Sequence, residues 1–127
     1  MRRAYQLIVL LALVAVAACG SDSAPSTGGG GGTTGPTITI SSSGVSPKSV
    51  TVSPGTQVTF FNSDSRSHDM ASDPHPTHEN CTAISQVGVL AAGQSRQTGN
   101  LNTVRSCGYH DHNLPENASL QGTIVVQ

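Results

Sequence analysis

The sequence predicts an all-β fold, a Greek-key sandwich of about seven to eight short strands. Short segments that alternate polar and apolar residues recur at the spacing typical of sandwiches, with turn residues between them. After the first 18 residues, no window repeats apolar residues at the helical positions i, i+3, i+4 and i+7. The predicted domain contains only Phe60, Phe61 and Tyr109 as aromatic residues, so its core must be built from Val, Ile and Leu.

The predicted strands follow one another from residue 37 to the last residue. The first alternates Thr and Ile, which indicates a strand with one buried face. Turn residues at 44–48 and the dipeptide Pro54-Gly55 separate it from the next two strands. In chain order, the alternating segments are 37–40, 49–52, 57–62, 87–90, 96–101, 103–105 and 122–127. We therefore predict one domain over residues 37–127.

The first 18 residues predict an export signal. Two arginines follow Met1, and residues 7–18 form an apolar run of signal-peptide length that is short for a membrane span. The run ends in Val16-Ala17-Ala18-Cys19, which resembles the bacterial lipobox, so Cys19 is the predicted lipid attachment site. The alternative is an ordinary secretory signal with an incidental cysteine. We expect an exported protein, lipid-anchored on the periplasmic or cell-surface face of a bacterial membrane.

Residues 19–36 predict a flexible tether, because they are rich in Gly, Ser and Thr and contain no large apolar residue. Removal of Arg2 and Arg3 with the signal leaves four of the six Lys and Arg residues against seven Asp and Glu, a formal charge of −3. No basic stripe is present to neutralise phosphates, so we expect no nucleic-acid partner. Outside the cytoplasm, disulfides are permitted.

Two segments of the domain carry potential metal ligands. Residues 106–112 contain Cys107, His110 and His112, and thiolate and imidazole groups together bind copper or zinc. The other histidines, His68, His75 and His78, lie in the segment after the third predicted strand. We expect the fold to bring the two segments together at one end of the sandwich, with His75 and His78 as a possible second cluster.

One series of residues runs through the whole predicted domain. It reads Val45-x-Pro47-x-x-Val50-Thr51-Val52-x-x-Gly55-Thr56-x-Val58-Thr59-Phe60-x-Asn62, then His68, then Gly93-Gln94-Ser95, then Cys107-x-x-His110 and Gly122-Thr123-Ile124-Val125-Val126. This series resembles the cupredoxins, the blue-copper Greek-key sandwiches that include plastocyanin. The resemblance covers residues 37–127 and implies a cupredoxin-like fold with copper as cofactor.

The resemblance also implies a ligand set and a function. The ligands are His68, Cys107 and His110, a set that serves both oxidation states of copper. His112 is the alternative loop histidine, and His110 is preferred because Cys-x2-His is common in compact bacterial members. The position of the family's axial methionine holds Leu120, and Met70 is a packing residue or a weak ligand. The implied function is electron transfer with redox partner proteins outside the cytoplasm.

The cysteine count leaves a different arrangement open. Once Cys19 carries lipid, Cys81 and Cys107 are the remaining cysteines, and two cysteines in an exported domain are most simply a disulfide. Such a bridge takes the thiolate away from copper. The protein then binds copper through histidines alone, with Asp69, Asp73 or Glu79 as further candidates, or it binds no metal.

No sequence motif indicates an enzyme. The chain has neither Gly-x-Ser-x-Gly nor His-Glu-x-x-His, so we expect no hydrolytic activity. The functions that compete with electron transfer are copper binding through histidines without redox turnover and an interaction module that has lost the metal.

Overall fold

Two mixed β-sheets contain the nine strands in the described part of the chain, residues 33–127 of a computed structural model. The strands are β1 (Thr33–Ser41), β2 (Gly44–Ser46), β3 (Ser49–Val52), β4 (Thr56–Asn62), β5 (His68–Ser72), β6 (Gly88–Leu90), β7 (Ser95–Gln97), β8 (Arg105–Asp111) and β9 (Gly122–Val126). One sheet has the order β2-β1-β4-β7 and the other the order β3-β9-β8-β5-β6. The predicted β-sandwich is confirmed, with one or two strands more than expected.

The core lies between the two sheets and is built mainly from aliphatic residues. In β4, every second residue is buried, as the alternating sequence predicts. The two aromatic rings of the core, Phe60 and Tyr109, pack edge to face with their centroids 5.1 Å apart. They link the first sheet to the second, because Phe60 lies in β4 and Tyr109 lies in β8.

The pairing of β5 with β8 gives these strands an inner and an outer face. The two strands are antiparallel, and Ala71 lies opposite His110. Since side chains alternate along a strand, Cys107, Tyr109 and Asp111 of β8 face the core, where all three are buried. Gly108 and His110 therefore face outward. Of the predicted metal ligands in β8, His110 therefore lies on the outer surface of this sheet and Cys107 on the inner surface.

The main difference from the sequence prediction is that residues 105–111 form a strand instead of a ligand-bearing loop. This strand pairs with β5 on one side and with β9 on the other, where Cys107 lies opposite Ile124. His68, which was expected in a loop, is the first residue of β5. The group of potential metal ligands that the described residues form contains His110 but neither His68 nor Cys107.

At its N-terminal end, the described chain begins within the predicted tether. Strand β1 pairs in parallel with β4 from Thr33, which lies opposite Thr56. The predicted signal peptide, Cys19 and most of the tether lie outside the described residues. Within residues 33–127, the helical content consists of two 3-10 turns, Ile84–Gln86 and Ala118–Leu120, and no helix has the length and apolar character needed to cross a membrane.

Candidate metal centre

Four imidazoles converge over the outer face of β5 and β8. The chain after β5 carries His75 and His78, and the end of β8 carries His110, with His112 just beyond it. Each residue offers one nitrogen, and these nitrogens all lie within 4.8 Å of one another. We call these four residues the histidine cluster. It combines His75 and His78, the possible second cluster of the sequence analysis, with His110 and His112.

His110 is the buried member of the histidine cluster. Its Nδ1 donates a hydrogen bond of 2.6 Å to Oδ1 of Asp73, because a carboxylate oxygen can only accept. Its Nε2 is buried and has no hydrogen-bond partner within residues 33–127. Buried polar atoms are rarely left without a partner, so an orphaned nitrogen requires an explanation. A metal ion bound by the cluster supplies one.

The ring of His78 is also held in a single orientation. Its Nδ1 donates to the backbone carbonyl of Ser72 at 2.7 Å, which leaves Nε2 with a lone pair. That Nε2 lies 2.9 Å from Nδ1 of His112. The backbone of His78 adopts a positive φ of 54°, a conformation that non-glycine residues adopt infrequently. Because Nε2 of His78 carries no proton, Nδ1–H of His112 donates this hydrogen bond, which links two rings on separate segments.

His75 closes the exposed side of the cluster and has a lowered pKa. The causes are partial desolvation followed by the nearby charges of His112, His110 and His78, while Glu116 acts weakly in the opposite direction. The lowered pKa favours the neutral imidazole, which is the form that binds a metal.

The dimensions of the cluster suit a transition metal ion. Nitrogens bound at about 2.0–2.1 Å from a metal lie about 3.3 Å apart in a tetrahedron and up to about 4.2 Å apart in a square plane. The observed limit of 4.8 Å is only slightly larger. The rings of His75 and His112 are exposed and free to rotate, while Ser72 and Asp73 hold the rings of His78 and His110.

The cysteines are joined to each other. Cys81 and Cys107 form a disulfide, with their Cα atoms 5.7 Å apart. This is the alternative that the cysteine count left open, and the bond occupies the sulfur that a copper thiolate at Cys107 needs. Cys107 also faces the core, on the side of β8 opposite to His110. With this disulfide formed, Cys107 has no thiolate to offer beside His68 and His110.

His68 is held between two carboxylates inside the sandwich. Its Nδ1 lies 2.7 Å from Oδ2 of Asp111, and its Nε2 lies 3.1 Å from Oδ2 of Asp64. All three residues are buried. We call them the buried triad. Both ring nitrogens of His68 therefore already face carboxylate oxygens, which favours a structural role for this residue in the described chain.

The buried triad gives the fold a specific sensitivity to acid. Burial raises the pKa of Asp64, but hydrogen bonds from His68, the Ser65 backbone and Arg66 outweigh it and lower the pKa from 3.8 to about 2. The ionised carboxylate thus stabilises the fold above pH 3.8, and this contribution is lost as the pH falls to about 2.

We expect Asp64→Asn to flatten the pH dependence of unfolding in that range, because its side chain cannot take up a proton. Chemical unfolding followed by circular dichroism at several pH values measures the effect. An unchanged slope in the variant would contradict the assignment, and Asp69→Asn is the charge-matched control.

The remaining candidate ligands do not join the histidine cluster. Met70 and Leu120 are buried in the core, which agrees with packing roles and leaves no sulfur at the predicted axial position. Of the three acidic candidates, Asp73 contacts His110, while the metal-binding group formed by the described residues includes neither Asp69 nor Glu79. Sequence reasoning missed the role of Asp73 as the hydrogen-bond partner of His110, since nothing in its local sequence indicates that contact.

Comparison with solved structures agrees with this architecture. The chain is similar to a purple cupredoxin from Nitrosopumilus maritimus, with 20% identity, a TM-score of 0.57, and coverage of 73% of this chain and 100% of that one. It is similar to oxidised plastocyanin from Dryopteris crassirhizoma, with 17% identity, a TM-score of 0.56, and coverage of 72% of this chain and 99% of that one. It is also similar to reduced auracyanin from Roseiflexus castenholzii, with 17% identity, a TM-score of 0.56, and coverage of 76% of this chain and 99% of that one.

These likenesses show that the chain has a cupredoxin-like fold. No family model matches the sequence, and a search of curated proteins also found no match. The fold and the histidine cluster are therefore the basis for assigning a function.

Proposed function

We propose that the protein is an exported copper-binding protein that holds Cu²⁺ through the four imidazoles of the histidine cluster. The observation that carries this proposal is the buried Nε2 of His110, which has no hydrogen-bond partner among the described residues and belongs to a group whose nitrogens lie within 4.8 Å of one another. Imidazole ligands suit copper, zinc and nickel, and among divalent metals of this series copper binds most tightly.

The chemistry of the donor set separates this site from a blue-copper centre. A thiolate favours the reduced metal, whereas four imidazoles without sulfur favour Cu²⁺. The disulfide between Cys81 and Cys107 removes the thiolate. The carboxylates of Asp64 and Asp111 contact both ring nitrogens of His68, which was also expected to bind copper. We infer that the protein holds or delivers copper, with the intact disulfide as a structural element.

Electron transfer with a redox partner outside the cytoplasm is the second candidate function. The cupredoxin-like fold favours it, since the similar solved structures include an oxidised plastocyanin and a reduced auracyanin. For this function the cluster must bind copper in both oxidation states. Fold alone does not determine function, so the donor set carries more weight here.

Export and membrane anchoring rest on the first 19 residues. The apolar run and the lipobox-like Val16-Ala17-Ala18-Cys19 support a lipid anchor at Cys19, which places the copper site outside the cytoplasm on a membrane surface. A Cys19→Ser protein is expected in the soluble fraction and the wild type in the membrane fraction. Equal membrane association of both would contradict the anchor.

Copper titration of the oxidised protein tests the central proposal. We expect a single Cu²⁺ ion per chain, bound in competition with a chelator, and a pale complex, because no thiolate is available to give intense visible absorption. An intensely coloured complex would indicate a thiolate ligand and would contradict the four-imidazole site. No binding of Cu²⁺ would contradict both functions.

A further inference from the structure

We propose that Asp73 is the positioning residue of the histidine cluster, an inference that rests on the proposed copper function. It is not itself a metal ligand. Its carboxylate fixes the tautomer and orientation of His110, so that Nε2 presents its lone pair to the metal. Metal-binding histidines commonly donate their other ring N–H to a carboxylate, and such a partner also makes the imidazole a stronger ligand.

The contact between Asp73 and His110 has the geometry of a strong, charge-assisted hydrogen bond. The Oδ1 to Nδ1 distance is 2.6 Å, and the His110 side chain is only 3% exposed, whereas the Asp73 side chain is 47% exposed. The ring is therefore enclosed and has one partner that sets its protonation pattern. If the proton were on Nε2 instead, Nδ1 would be unprotonated and could not donate to the carboxylate.

Gly108 provides the space for this contact. A Cβ atom added at residue 108 would overlap Oδ2 of Asp73. Gly108 and His110 lie on the same outer face of β8, two residues apart, so the carboxylate lies across the glycine and reaches the ring beside it. The absence of a side chain at residue 108 is a requirement of the Asp73 position.

Asp73 also connects the two halves of the cluster through its backbone. Its N–H donates to the carbonyl of Gly108 at 3.0 Å, and its carbonyl accepts from the N–H of Asn80, also at 3.0 Å. The first bond attaches Asp73, at the start of the segment that carries His75 and His78, to β8. The second bond joins Asn80, at the end of that segment, back to Asp73. The side chain of Asp73 thus acts from a backbone position that is already fixed relative to His110.

The test compares Asp73→Asn with Asp69→Asn in the same protein. The variants lose the same charge, and both residues lie on the outer side of the β5 segment, four positions apart. The side chain of Asp69 makes no hydrogen bond to any described residue. We expect Asp73→Asn to lower Cu²⁺ affinity by about 10- to 100-fold. Asp69→Asn should change it by less than about twofold, because a lone solvated charge is screened.

Two readouts separate positioning from a merely structural role. In the metal-free protein, nitrogen-15 NMR of His110 should show Nδ1–H in the wild type and a mixture of tautomers in Asp73→Asn. In the Cu²⁺-loaded proteins, electron paramagnetic resonance should show the same nitrogen coordination in both. Loss of an oxygen ligand in the variant would make Asp73 a ligand itself and would overturn the positioning role.

A steric variant provides an independent route to the same effect. Gly108→Ala should displace the Asp73 carboxylate and lower the affinity in the same direction as Asp73→Asn. The double variant should bind Cu²⁺ no more weakly than Asp73→Asn alone, because both substitutions remove the same contact between Asp73 and His110. Additive losses would overturn the shared mechanism, as would equal affinities of Asp73→Asn and wild type. Failure of the wild type to bind Cu²⁺ would instead overturn the proposed function and this inference together.

Discussion

Replacement of His110 by alanine is expected to lower Cu²⁺ affinity by more than about 100-fold, the upper range for loss of an outer hydrogen-bond partner of a ligand. His110 supplies the buried nitrogen of the histidine cluster, and its orientation is fixed before any metal binds. Competition titration against a chelator measures the loss. Alanine at the exposed His75 should have a smaller effect, because that ring has no fixed hydrogen-bond partner among the described residues.

His68→Gln is the control that separates the histidine cluster from a blue-copper ligand set. The ring of His68 lies between Asp64 and Asp111, so its loss removes one hydrogen bond from each of these carboxylates and lowers the free energy of unfolding. In the folded fraction, Cu²⁺ affinity should stay close to that of the wild type. Loss of Cu²⁺ affinity in His68→Gln, together with full affinity in His110→Ala, would contradict the site.

Removal of the disulfide is expected to destabilise the fold and weaken the metal site together. The bridge spans 26 residues, for which the chain-entropy model gives about 3.5 kcal/mol. Cys81 follows His78 by three residues, and Cys107 precedes His110 by three. The bond therefore joins the two segments that carry the ligands. The double variant Cys81→Ala/Cys107→Ala should unfold more easily and bind Cu²⁺ more weakly than wild type.

The single variants test the same bond from the opposite direction. If Cys81 and Cys107 are bridged, each single alanine substitution should destabilise the protein by a similar amount, and oxidised wild type should show no free thiol from this pair. A blue-copper arrangement gives a different result. Cys81→Ala would then keep or gain an intense copper colour, and Cys107→Ala would abolish it.

Much of the fold could be predicted because the aliphatic strands alternate so regularly. Segments 57–62 and 122–127 match β4 (Thr56–Asn62) and β9 (Gly122–Val126) closely. Strand β5 (His68–Ser72) could not be predicted in this way, because four of its five residues are buried and few of them are aliphatic. In β8, the buried Asp111 interrupts the apolar alternation, and its burial depends on partners that include the distant His68.

The candidate site was only partly predictable for a related reason. The sequence identified all four members of the histidine cluster as candidate ligands, because imidazoles concentrated in two segments suggest a metal site. Their arrangement depends on contacts between distant residues, the disulfide and the hydrogen bond from His110 to Asp73. The resemblance to blue-copper proteins implied His68 and Cys107 together with His110, but strand alternation places His68 and Cys107 on the inner face.

X-ray absorption spectroscopy of the Cu²⁺-loaded, non-reduced protein tests the central claim most directly. The site described here predicts a coordination shell of nitrogen ligands with imidazole scattering and no sulfur. The number of imidazole ligands should fall from four to three in His110→Ala and remain four in His68→Gln. A copper–sulfur shell in the wild-type protein that disappears in Cys107→Ala would contradict the four-imidazole site.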